Sequence, residues 1–369
     1  MIGADYSIHR FKVWLKSDTK QQNPLELAAL RRVRQQQKAQ NILDIKRREN
    51  GVFNQIRLYS LHFFAVMSDE EDDLDIKPGT VIDSSKANYV VIKMLGEGGF
   101  GAVYKVHDQK DPSKLYAVKV EKKIESRKHS KLKMEIAILK LVSQERKNSH
   151  FTTIVDRGKK ENYFFLVMEL VGKSLADLKS RRPGRVFSIS TGLGASVQCL
   201  EACEDLHKYG FIHRDLKPAN YACGLQEKKR IGTIPFASIS CHKNVEMGAK
   251  DDCESWFYLL IDITFPNGLL WKASSEKDEV LRMKEEIRKE KRDAQFSSMK
   301  CKKELLGILD YIDSLRYHDH VDYSFIYKLL EEGAITAGGS IHNPYDWEVD
   351  GTQKPPKPVN SKRSTTKKI

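Results

Sequence analysis

The chain has 369 residues, 40% of them hydrophobic, and a formal net charge of +13. That length and apolar content support a sizeable core and exclude a chain that is disordered throughout. Residues 1–66 hold 12 Lys/Arg against 5 Asp/Glu, residues 350–369 hold 6 against 1, and the middle is balanced at 45 against 44. The basicity therefore belongs to the flanks, where it predicts association with acidic partners.

In chain order, residues 1–66 read as a basic N-terminal extension with a helix-compatible run from Leu25 to Arg48, and residues 67–88 as an acidic linker ending after Pro78-Gly79. Strand patterns follow at Tyr89 to Leu95, Ala102 to His107, Leu115 to Val120 and Tyr163 to Leu170, with a charged helix from Ser130 to Val142 between the last two. Beyond Val171-Gly172 the period turns helical at Gly192 to His207, Asp252 to Thr264, Lys277 to Arg292, Lys303 to Leu315 and Tyr323 to Glu331. Residues 349–369 read as a basic tail with little to bury, which predicts disorder. The six cysteines show no CxxC pair and no zinc-ligand spacing, and no secretory leader is read, so reduced, mostly buried thiols in a cytoplasmic or nuclear protein are expected. The most apolar stretches, around Leu58 to Met67 and Trp256 to Phe265, are too short to span a bilayer.

Gly96-Glu97-Gly98-Gly99-Phe100-Gly101-Ala102-Val103 sits between two strand patterns with no helix after it, which argues against a dinucleotide fold, although Glu121 would stand where such a fold places its ribose acid. Glycines at 96, 98 and 101 let backbone amides approach phosphates, and Val103 can cover an adenine face. An ordinary glycine-rich turn is the plain alternative. Lys119, in Ala117-Val118-Lys119, lies on a strand where a buried lysine needs anions, and Glu135 on the following helix or bound phosphates would supply them. Taken singly, Lys119 reads as surface and Glu135 as a solvated charge. His213-Arg214-Asp215-Leu216-Lys217-Pro218-Ala219-Asn220 places a carboxylate, a lysine and a carboxamide at the spacing of a phosphoryl-transfer loop. Asp215 would orient a substrate hydroxyl, Lys217 would neutralise the migrating phosphoryl group and Asn220 would be the metal ligand, for Mg²⁺. His213 reads as a packed histidine that shapes the loop.

With YFFLVMELVGKSLADL (163–178), GFIHRDLKPANYACG (210–224), GTIPFASISCHKNVEMGAKDDCESWFYLL (232–260) and DYIDSLRYHDHVDYSFIYKLL (310–330), residues 89–348 resemble the casein kinase I superfamily of protein kinases, most closely its tau-tubulin kinase branch. The resemblance implies an α+β, bilobal protein-kinase fold, with an antiparallel N-lobe over residues 89–171 and a mainly helical C-lobe over residues 172–348. It implies ATP and Mg²⁺ as cofactors and Ser/Thr of a protein as the acceptor. It also implies Met168 as gatekeeper behind the adenine, backbone groups of Glu169 and Val171 at its edge, and Leu95, Val103, Ala117 and Ala222 around its faces. Asp252 would anchor the catalytic-loop backbone from below.

The chain departs from that family after Asn220. Twelve residues, Tyr221 to Gly232, lead to Thr233 and contain no aspartate, where the family places an Asp-Phe-Gly and an activation loop that need roughly 30 residues; twelve reach at most about 40 Å. Glu227, the one acid there, reads as solvated. The expectation is a gap near residues 224–232, weakened or lost Mg²⁺ binding, impaired transfer, and exposure of Ile212 and Tyr221 beside the missing strand pair. Pro235 also replaces a family arginine. Three readings follow: a Ser/Thr kinase family member with an omitted coding segment, a nucleotide-binding pseudokinase scaffold, or a basic cytoskeleton-binding protein. The expected partners are a protein substrate or scaffold partner, acidic or cytoskeletal, with no membrane and no nucleic acid, bound by a monomer.

Overall fold

The computed structural model describes residues 56–58, 74, 76–98, 101–123, 130–223 and 234–352. The chain divides into a unit of Met1–Val52, outside the described residues, and a unit of Phe53–Ile369. The expected helix at Leu25 to Arg48, the tail beyond residue 352 and the bridge containing Glu227 also lie outside the described residues.

The N-lobe is a six-stranded antiparallel sheet. Its strands are β2 (Val81–Asp83), β3 (Asn88–Gly98), β4 (Gly101–Asp108), β5 (Leu115–Lys122), β6 (Ile154–Lys159) and β7 (Tyr163–Glu169), in the spatial order β2-β3-β4-β5-β7-β6. Alternation along β4 drives the pairing: Ala102, Tyr104 and Val106 are buried and join Val118, Val120, Phe165 and Val167 in one apolar cluster. Helix α1 (Lys131–Val142) packs against the other face through Leu132, Ile136, Ile138 and Leu139. Its start is fixed by Ser130, whose hydroxyl accepts from Lys133 N, and by Glu121, which accepts from the backbone N–H groups of Lys131 and Leu132 at 3.0 and 2.9 Å. A carboxylate at a helix N-terminus satisfies orphan donors and opposes the dipole. Glu121 is thus a helix-capping residue.

The C-lobe is mainly helical: α2 (Leu175–Ser180), α3 (Ile189–Lys208), α4 (Ile239–Lys243), α5 (Ala249–Thr264), α6 (Lys277–Glu286), α7 (Arg292–Phe296), α8 (Lys302–Ser314), α9 (Tyr323–Thr336) and α10 (Asp346–Thr352). The single helix expected over 277–292 is two. After Glu286 the chain turns and Arg288 points inward, donating to Asp313, Glu254 and the Tyr258 hydroxyl. Helix α5 is the buried axis of the lobe and meets α3 through Trp256 Nε1, which donates to Ser196 O at 2.8 Å.

A second, three-stranded sheet lies in this lobe, with order β1-β9-β8, where β8 is Lys173–Ser174 and β9 is Tyr221–Cys223. Strand β1 is Ile56–Leu58, a stretch that the sequence reading left inside the N-terminal extension. It pairs antiparallel with β9 in the register Ile56↔Cys223, Arg57↔Ala222, Leu58↔Tyr221. The expected exposure of Tyr221 is therefore not found. Its side chain is fully buried and its hydroxyl donates to Cys199 O, while Ile212 is half-buried. Cys199, Cys203, Cys223, Cys253 and Cys301 are buried and Cys241 is half-buried, all as free thiols.

Candidate functional site

The hairpin of β3 and β4 closes through Gly96↔Val103, Glu97↔Ala102 and Gly98↔Gly101. Gly101 has a φ of 138°, and a Cβ there would stand 1.8 Å from Val120 O. Only glycine permits this approach of the hairpin to β5. Val103 pairs with Lys119, and Lys119 with Leu166, so the lysine sits at the centre of the sheet. Its Nζ lies 2.5 Å from Glu135 Oε2 of α1, with Glu135 buried and Lys119 about one-quarter exposed. Strand and helix thus bring together the two charges that the sequence pattern pairs, although either taken singly reads as a surface group.

Ala117 and Met168 are cross-strand partners in the shared core, with Leu95 and Val103 packed against it. Met168 Sδ accepts from Thr152 Oγ1 at 3.7 Å. Val171 is buried where the chain leaves β7. Glu169 is tied to the neighbouring segment in both directions: its N–H donates to Thr153 O at 3.1 Å, and its carboxylate accepts from Thr153 N at 3.0 Å. Ala222 is the middle residue of β9 and is buried between β1 and β8.

Asp215, Lys217 and Asn220 form one unit. Lys217 Nζ is 2.9 Å from Asp215 Oδ2 and 3.1 Å from Oδ1, and Asn220 Nδ2 donates to Asp215 O at 2.7 Å and to Oδ2 at 3.3 Å. The 3-10 turn Pro218–Asn220 links them, with proline at its start supplying the fixed φ. His213 is buried, and its Nδ1 accepts from Asp215 N at 3.2 Å, the loop-shaping role expected of it.

Beneath the loop, Asp252 accepts from the N–H groups of His213 and Arg214 at 2.5 and 2.8 Å, and from His207 Nε2 at 2.8 Å. Burial pushes its carboxyl up, but the His207 hydrogen bond and charge, together with His213, outweigh burial and hold it below the usual aspartate range.

Fit to a divalent cation follows from the donor set. Mg²⁺ favours oxygen ligands that include one or two carboxylates. Both Asp215 oxygens already face Lys217, and among the described residues no group of three His, Cys, Asp or Glu side chains could hold a metal ion. The described residues do not by themselves make an Mg²⁺ site.

Lys284 escaped the sequence reading because it lies in a run of charges that resembles a solvated helix face. It is fully buried, with Nζ donating to Ala237 O at 2.6 Å and lying 4.6 Å from the Tyr258 ring centroid. Trp271 Nε1 donates to Pro235 O at 2.8 Å. These two residues hold residues 235–237. Burial lowers the Lys284 ammonium to about 7. Among the described residues no helix is long and apolar enough to cross a membrane.

Comparison with known proteins gives the family and the fold. The family model described as "Protein kinase domain" matches residues 89–238. A Caenorhabditis elegans protein named as a serine/threonine-protein kinase is 30% identical over 306 residues, spanning 76% of this chain and 79% of the relative. A protein of Encephalitozoon cuniculi (strain GB-M1) named as a casein kinase I homolog is 28% identical over 274 residues, spanning 66% of this chain and 84% of the relative. The solved structure of vaccinia related kinase 3 superposes with a TM-score of 0.55 at 15% identity, over 74% of this chain and 95% of that one, which establishes the bilobal fold. With the sheet-to-helix charge pair, the catalytic-loop unit and these likenesses together, the chain belongs to the protein kinase family, as a relative of serine/threonine kinases.

Proposed function

We propose that this chain is a casein kinase I-like protein kinase, nearest the tau-tubulin kinase branch, that binds ATP between its lobes and transfers phosphate to protein Ser/Thr only weakly. The Lys119–Glu135 pair at 2.5 Å carries the reading, because a lysine held on the central strand by a buried carboxylate is aimed for anionic phosphates. Gly96, Gly98 and Gly101 would lie over the phosphates, and Leu95, Val103, Ala117, Met168 and Ala222 would surround the base. Asp215 would orient the acceptor hydroxyl while Lys217 offsets charge on the migrating group.

Weak transfer follows from residues 221–232, which contain no aspartate. Mg²⁺, when bound, would offset charge on the transferring phosphoryl group, worth several kcal/mol in the transition state, so a chain without that acid would lose powers of ten in rate. The pseudokinase scaffold is the second reading and rests on the same missing acid. Thermal shift with ATP, with and without Mg²⁺, tests nucleotide binding; no shift in either condition overturns it. Phosphate transfer is expected to be indistinguishable between the chain and its Asp215→Asn variant. A large difference would establish an active kinase instead.

A further inference from the structure

We infer that Ile56–Leu58 is a donated strand of the catalytic lobe: it fills a strand-acceptor slot beside the catalytic loop and fixes the position of Tyr221, the residue after Asn220. The occupant is this chain's own segment from ahead of the kinase lobes, and the inference does not rest on nucleotide binding or transfer.

Both edges of the strand are occupied. On one edge is β9, in the register given above. On the other, Leu58 N donates to His150 O at 2.6 Å, and Leu58 forms a parallel bridge with Phe151. Side chains secure the rest of the backbone: Ile56 N donates to Gln198 Oε1 at 2.8 Å, and His150 Nδ1 is 3.0 Å from Ile56 O while its Nε2 is 2.9 Å from Glu201. Gln198 continues the link by donating through Nε2 to the Tyr345 hydroxyl. Ile56 and Leu58 are each 1% exposed. The slot thus takes an extended segment with apolar residues at alternate positions.

The N–H groups of Ile56 and Leu58 point away from β9, so Arg57 is the residue whose N–H faces Ala222. This makes Ile56↔Cys223 a non-hydrogen-bonded pair, the closer kind, with Cα atoms about 4.5 Å apart and within disulfide reach. The strand runs toward the catalytic loop and ends opposite Tyr221, so its docking clamps the residue that follows Asn220. An unfilled slot would leave a sheet edge and an apolar floor in their place.

Two measurements on the full chain test this. In Ile56→Cys, mild oxidation with diamide should link the introduced thiol to Cys223, as mapped by peptide mass, whereas Arg57→Cys should give no link to Cys223. Absence of the Ile56→Cys link, or equal linking from Arg57→Cys, overturns the assignment. In Arg57→Pro, which deletes the ladder N–H, hydrogen exchange at the Ala222 amide should speed up by at least about tenfold while Val106 and Val118 keep their protection. An unchanged Ala222 rate overturns it. The crosslink does not depend on whether the proline variant folds.

Discussion

The Asp252 carboxylate accepts a 2.8 Å hydrogen bond from the backbone N–H of Arg214, the residue that carries a φ of 67°. A side chain larger than glycine in the left-handed region is strained, and such strain persists only where neighbours over-determine it. Asp252 does so by also binding His213 N and His207. Asp252→Ala should destabilise the protein by about 3–5 kcal/mol in urea unfolding, since it orphans buried donors and frees the loop. The carboxyl lies below its ordinary value in the fold, so its contribution is complete above about pH 4 and is lost as pH falls further. The difference in stability between the chain and Asp252→Ala should narrow over that acid window.

Glu135→Gln keeps an acceptor for Lys119 and removes the charge. The melting temperature without ligand should move by only a few degrees, whereas ATP affinity, if ATP binds as proposed, should fall by roughly tenfold, or about 1.4 kcal/mol. Titrating the ATP-dependent thermal shift in both proteins measures the ratio.

Lys284 is lowered to about 7 by burial. Between that value and the ordinary lysine value of about 10.4, the unfolded chain holds a proton that the folded chain lacks, so this group's contribution to stability rises with pH. Lys284→Met removes the contribution. The stability of the chain minus that of Lys284→Met should therefore increase from pH 6 to pH 9, as followed by chemical unfolding at fixed ionic strength.

Gly101→Ala sets a methyl group against Val120 O in a backbone conformation that alanine resists. A loss of about 2 kcal/mol or more is expected, read as a fall in melting temperature.

The strands β3, β4, β5 and β7 were legible in the sequence because their apolar residues alternate and a glycine hairpin punctuates them. Most C-lobe helices were legible through their period, and Asp215, Lys217 and Asn220 through their spacing. Strand β1 was not. Three residues, Ile-Arg-Leu, carry too little pattern to distinguish a strand from an apolar patch in a basic extension, and their partner is far away along the chain. The burial of Tyr221 was missed for the same reason, since no local signal says which segment covers it. Lys284 and His150 were illegible because their partners, Ala237 O and Ile56 O, are main-chain atoms brought near only by the tertiary fold.

The pairing of Leu58 with Tyr221 also has a consequence during synthesis. Strand β1 leaves the ribosome about 165 residues before β9, which at typical elongation rates means a wait of roughly 8 to 33 seconds. Over that interval the strand can pair along its His150–Phe151 edge, but its β9 edge stays open. Closing so long a loop is also entropically slow, which makes this docking a late event in folding and an early opportunity for a chaperone.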